Sequence, residues 1–158
     1  MSESKGRAKP RSAIHRVCAI VALACIAVMF VPVGQERGHG SQYGEILYPG
    51  EMQFAVSHAT SGFTRDDPLY SVSVLVLAAA ALFLLVWAVR SLQNRPGGTG
   101  LIAAAVNFLA AAFVLVFMCV DLGDYAMLIP SMVLIALLAV AAIALAAVQR
   151  KAVRAGKP

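Results

Sequence analysis

Hydrophobic positions in this chain gather into four long runs instead of recurring at the intervals of a soluble helix or strand. The runs are Ala13–Val33 (uncharged from Val17 onward), Leu69–Val89, Leu101–Val120 and Ala126–Val148. Each holds roughly 20 residues, which at ~1.5 Å per residue matches a hydrocarbon core ~30 Å thick. A helix satisfies its own backbone N–H and C=O groups in lipid, as an open strand cannot. None of the runs alternates polar and apolar residues in the manner of a barrel strand. The expected fold is an all-α integral membrane protein, a four-helix up-down transmembrane bundle. Its helices are expected at about 13–33, 69–92, 100–121 and 125–149.

The residues between the runs supply the punctuation. Asp67 suits an N-cap and Pro68 the first helical position. Asp66 and Asp67 also complement the positive end of that helix dipole. Asn94-Arg95-Pro96-Gly97-Gly98 and Leu122-Gly123-Asp124-Tyr125 are short breaks, so consecutive helices must lie antiparallel side by side. Tyr70 and Trp87 fall where interfacial aromatics are expected. Residues 1–12 are polar and basic and read as a disordered lead; 150–158 form a basic tail. The small loop 34–67 is the one soluble segment of any size. Within it Met52, Phe54 and Val56 alternate with Gln53, Ala55 and Ser57, the period of a half-buried strand. Pro49-Gly50 can turn the chain, so a β-hairpin is expected over 45–58. A two-stranded hairpin is marginal alone, and its Met52, Phe54 and Val56 face would rest on helix ends or on another protein.

Composition sharpens the membrane reading. Sixty per cent of the 158 residues are hydrophobic, against ~45–50% in an ordinary soluble domain. A chain this short cannot hide that excess in a water-soluble core. Charge then sets the orientation. Of the 13 basic residues, only Arg37 and Arg65 fall outside the segments on the side of the two termini. This asymmetry is the positive-inside pattern and places both termini in the cytoplasm, with loop 34–67 outside. The basic pI therefore calls for no nucleic acid; the N-terminal cluster could also hold anionic lipid. Alanine- and valine-rich spans, with nine Arg against four Lys, suggest a bacterium with a GC-rich genome, hence a plasma (inner) membrane location.

The start of the chain resembles a secretory signal, but Gly-Gln-Glu-Arg follows Val33 with no small-x-small cleavage site before it. An uncleaved first span is expected. Ala22-Leu23-Ala24-Cys25 is similar to a lipoprotein acylation box, yet Ile26–Val33 stays apolar where a processed lipoprotein turns polar.

Candidate chemistry is sparse. Asp121 and Asp124 bracket the turn between the third and fourth runs, and an aspartyl pair can perform acid–base hydrolysis. Length and layout resemble lipoprotein signal peptidases, but no Asp-Arg pair closes the third run and no Asn-x-Ala-Asp opens the fourth. Asp124 as a helix cap and Asp121 as a solvated turn residue account for both. Cys18, Cys25 and Cys119 lie inside apolar runs with no Cys-x-x-Cys, which fits packing and not thiol exchange. A haem bundle would want histidines within its spans, whereas His39 and His58 lie in the loop and His15 is expected at a wet end. No cofactor or metal is expected.

Asn107 is the most deeply placed strongly polar residue, on a stripe with Ala103 and Ala111, and is expected to make an interhelical hydrogen bond. Pro130, several residues into the fourth run, is expected to kink it and free the Ala126 carbonyl. Arg90, Asp121 and Arg150 fall at span ends and the span interiors hold no charged residue, which disfavours transport by a charged mechanism. One long outer loop followed by short turns is similar to the layout of claudin-like tetraspan proteins. The paired loop cysteines and tryptophan motif of those proteins are absent. The expectation is a non-enzymatic accessory, scaffold or interaction protein whose partners are the lipid bilayer and another membrane protein or a second copy. A small transporter or channel for neutral or apolar solutes is the alternative.

Overall fold

In the computed structural model, residues 11–31, 34–36, 46–48, 68–95, 97–121, 125–127 and 129–155 are described. Four helices dominate: α1 (Arg11–Val28), α2 (Pro68–Leu92), α3 (Thr99–Asp121) and α4 (Ile129–Ala155). The last three are long and apolar enough to cross a membrane; α1 is apolar but shorter. Val28 is its last α-helical residue because the chain is about to reach Pro32, and a residue before proline is pushed out of the helical region. The turn tightens instead. Met29, Phe30 and Val31 donate to Ile26, Ala27 and Val28 in i→i+3 bonds that carry the rod a little further.

Pro68 is the first residue of α2, where its missing N–H costs nothing. The other end is a Schellman motif. Asn94 takes a left-handed φ of 56°, the Arg95 N–H donates to the Arg90 carbonyl at 2.8 Å and the Asn94 N–H to that of Ser91 at 3.0 Å. The chain then reverses into α3.

Three short strands join the far ends of the helices: β1 (Gly34–Glu36), β2 (Ile46–Tyr48) and β3 (Tyr125–Met127). They form an antiparallel sheet in the order β2-β1-β3, with Gln35 facing Leu47 on one side and Ala126 on the other. Of the hairpin expected over 45–58, only Ile46–Tyr48 lies within the described residues. Ile46–Tyr48 pairs with the segment leaving α1, and the second limb, with Met52, Phe54 and Val56, lies outside the described residues.

Strand β3 corrects two expectations. Residues 125–127 are tied to the sheet, so α4 starts at Ile129 and not at 125. Pro130 then belongs to the first helical turn, where no donor is missed, and Ala126 is in a strand, so no kink and no freed helical carbonyl arise there. The cap expected at Asp124 lies outside the described residues. At the other end α4 continues through the basic tail to Ala155.

Each helix packs against two neighbours in the cyclic order α1-α2-α3-α4. Buried positions recur every three and four residues: Ser73, Leu77, Ala80, Leu84, Trp87 and Ser91 on α2, and Gly100, Ala103, Asn107, Ala110 and Val114 on α3. The same rhythm runs through His15, Cys18, Ala22, Cys25 and Val28 on α1 and Ile135, Ala139, Ala142, Ala146 and Gln149 on α4. A 3.5-residue period keeps one narrow seam of each helix on the bundle axis, as in a coiled coil. Most seam residues are small, which lets the backbones approach closely. The outer faces carry Ile20, Leu75, Leu82, Leu109, Val116 and Leu137, each more than half exposed.

Candidate functional site

The polar residues of the seam are the places where this interior departs from simple packing, and all four helices meet at one cluster of them. His15 lies in the first turns of α1, Trp87 and Ser91 near the end of α2, and Gln149 near the end of α4. Gly100 of α3 closes the group, since a Cβ built there would come within 2.5 Å of the Trp87 indole nitrogen. These contacts put the starts of α1 and α3 and the ends of α2 and α4 at one end of the bundle, the up-down arrangement.

Gln149 is the centre. Its Oε1 accepts a 2.8 Å hydrogen bond from Trp87 Nε1–H. Its Nε2 donates to Ser91 Oγ at 3.0 Å and meets His15 Nδ1 at 2.9 Å. An indole nitrogen can only donate, so the Trp87 bond fixes which way the amide lies. The amide N–H groups then point at Ser91 and His15, and Nδ1 must receive one of them. The clamp therefore holds the His15 ring neutral, with its proton on Nε2. All four side chains are buried: Trp87 and Ser91 are fully covered, Gln149 is 2% exposed and His15 7%.

This site corrects two expectations. Trp87 is not an interfacial aromatic but the largest fully buried side chain, and His15 is not at a wet end but within the packed seam. The signal is present in the spacing: Gln149 continues the 135-139-142-146 rhythm of α4 just as Asn107 continues that of α3. Around the clamp, on the outside, stand Arg16, Arg90, Arg95, Arg150, Lys151 and Arg154, all exposed. Glu36 and Asp121, the described acidic residues, fall at the opposite end, in β1 and at the end of α3.

Asn107 lies deeper. Trp87 against Gly100 and Gln149 against His15 set the antiparallel registers, and stepping along the seams places Asn107 level with Ala22, Ala80 and Ala142. It is 4% exposed, and the hydrogen bonds resolved among the described residues give its amide no interhelical partner. The expected interhelical bond is thus not seen. Cys18 and Cys25 are buried and free, and their thiols lie 3.8 and 3.7 Å from the Leu145 and Leu138 carbonyl oxygens. They fill space between α1 and α4 with a weak donor attached. Pro130 is exposed and outside the seam. Asp121 is the last residue of α3, and Cys119 has no described side chain. Among the described residues no group of three or more His, Cys, Asp or Glu could hold a metal ion.

No protein-family model, no curated protein and no solved structure matches this chain.

Proposed function

We propose that the chain is a four-span protein of the plasma (inner) membrane, with both termini in the cytoplasm. Its role is that of a non-enzymatic accessory or interaction module. The observation that carries this reading is the contrast between inside and outside. The seam is filled mostly by small side chains, with a few leucines and valines and one polar clamp, while large apolar side chains cover the outer faces and the exposed basic residues crowd one end. In water such a surface would aggregate; in lipid it is the expected solvent-facing surface. α1 and its tightened turn, ~33 Å in all, are long enough to serve as the fourth span. A small-residue seam closed by hydrogen bonds positions helices and leaves little chemistry to perform.

The partners are then lipid and a neighbouring membrane protein or a second copy, engaged through the outer loop at Met52, Phe54 and Val56. The test is cross-linking in native membranes followed by gentle detergent purification. A defined stoichiometric complex, lost with Phe54→Asp while the helical spectrum is kept, is the expected result. A monodisperse single chain from both proteins would overturn the interaction reading.

One observation favours the alternative of a neutral-solute pathway: the buried Asn107 amide in a layer of alanines. Proteoliposomes tested for water and glycerol permeability by light scattering separate the two readings. Flux above empty vesicles that Asn107→Leu abolishes would favour transport; flux equal to empty vesicles removes it.

A further inference from the structure

On the outer surface of the seam between α2 and α3 lies a groove of about 150 Å³ lined by Leu82, Phe83, Val86, Thr99 and Ile102. Its walls are apolar apart from Thr99, which sits at the end nearest the α2–α3 turn. Leu82, Val86 and Arg90 stand four residues apart on α2 and so share one stripe, with Arg90 one turn beyond the groove. Arg90 and Arg95 are both exposed at this end, and no acidic residue lies between positions 68 and 120. Gly97 and Gly98 of the α2–α3 turn face open space at this end. An apolar groove thus lies along α2 and α3, with Arg90 one helical turn beyond it and Arg95 in the turn that follows α2.

We propose that this groove is a binding site for an anionic phospholipid, with an acyl segment against Leu82, Val86 and Ile102 and the phosphate held by Arg90 and Arg95. The inference rests on the membrane reading above. Charge complementarity selects the occupant. A zwitterionic lipid can fill the apolar part equally well but carries its own cation into a cluster of cations. An anionic headgroup gains from each nearby basic residue, and guanidinium groups bind phosphate oxygens in a fork.

Trp87, the only tryptophan, reports on the groove because it follows Val86 and packs on Gly100, two residues before Ile102. The full chain is reconstituted in phosphatidylcholine nanodiscs containing increasing fractions of brominated phosphatidylglycerol or brominated phosphatidylcholine, and Trp87 fluorescence is followed. The anionic lipid should reach half-maximal quenching at a mole fraction about ten-fold lower. The double variant Arg90→Gln/Arg95→Gln should erase that preference, whereas Lys151→Gln/Arg154→Gln, which removes the same charge, should keep it. Ile102→Phe, which fills the groove, should raise the half-quenching fraction several-fold. Equal quenching by the two lipids, a preference that survives the Arg90/Arg95 change, or one lost equally with the Lys151/Arg154 change would overturn the site. So would removal of the preference by inorganic phosphate at matched ionic strength, since the ligand would then be free phosphate. A chain that fails to enter nanodiscs sinks the membrane reading itself; one that enters and shows no preference sinks only the lipid site.

Discussion

Gln149 satisfies three side chains from three different helical turns, and removing it leaves all three without that partner. Interhelical hydrogen bonds in membrane bundles are worth ~0.6 kcal/mol on average and ~1.7 at most. A buried donor left unmet costs ~1–3 kcal/mol. Gln149→Leu should therefore destabilise the bundle by about 2–3 kcal/mol, read from unfolding titrations followed by circular dichroism. Trp87→Phe in the Gln149→Leu background should cost far less than in the native chain, because the indole N–H it removes has already lost its acceptor. Additive losses in that cycle would mean the two side chains act independently. Gly100 tests the same clamp through sterics. Gly100→Ala gains about 1 kcal/mol of helix propensity, but its methyl needs the space of a fully buried indole. A net loss of about 1–2 kcal/mol is expected, and it should shrink when Trp87 is replaced by Phe only if the smaller ring can withdraw from Gly100.

At the scale of elements, the ends of the helices are set by local chemistry, and some of that chemistry is readable in one dimension. Pro68 opens α2 and Asn94 closes it, each for the reason its residue type supplies. Asn94→Ala should cost about 1 kcal/mol, since alanine lacks the local hydrogen bond that eases a left-handed φ, while Asn94→Gly should be close to neutral; both are read from the same unfolding titrations. The start of α4 is not legible in this way. Tyr125-Ala126-Met127 is apolar and runs straight into the apolar residues of α4, and nothing in its composition distinguishes a strand from a helical turn. Only the pairing with Gly34–Glu36, far back in the chain, decides it. Pro130 suggests a kink only while the helix is taken to begin before it. The polar part of the seam is half legible: Asn107 stands out as polar in an apolar run, whereas Gln149 and His15 of the clamp stand near charged residues and read as belonging to water. Their seam register, which buries them, emerges only when four helices are counted together. Cys18 and Cys25 make the same register measurable. In a Cys119→Ser background both thiols should stay unmodified by maleimide in the folded bundle and react fully on denaturation.

For the whole molecule, one asymmetry joins the fold to its surroundings. The contacts around Gln149 put residues 15, 87, 100 and 149 at the same end, and the sheet pairing puts the segments leaving α1 and entering α4 at the other. The basic residues of the turn at 90–95 and of the tail therefore share one face of the bundle whatever surrounds it. If that face is the cytoplasmic one, two positions must behave oppositely. Gly98 stands in open space in the α2–α3 turn, so a cysteine there is accessible without disturbing the packing. Position 45 immediately precedes Ile46–Tyr48, which the sheet holds at the far end. In intact cells and a Cys119→Ser background, an impermeant maleimide should label Glu45→Cys and leave Gly98→Cys untouched until the membrane is opened, with the buried native thiols at 18 and 25 silent in both. Reversed labelling would keep the bundle and invert its orientation. Labelling of both positions in intact cells would mean that the two ends of the helices are not separated by a bilayer, and the apolar outer faces would then need a protein, not a lipid, to cover them.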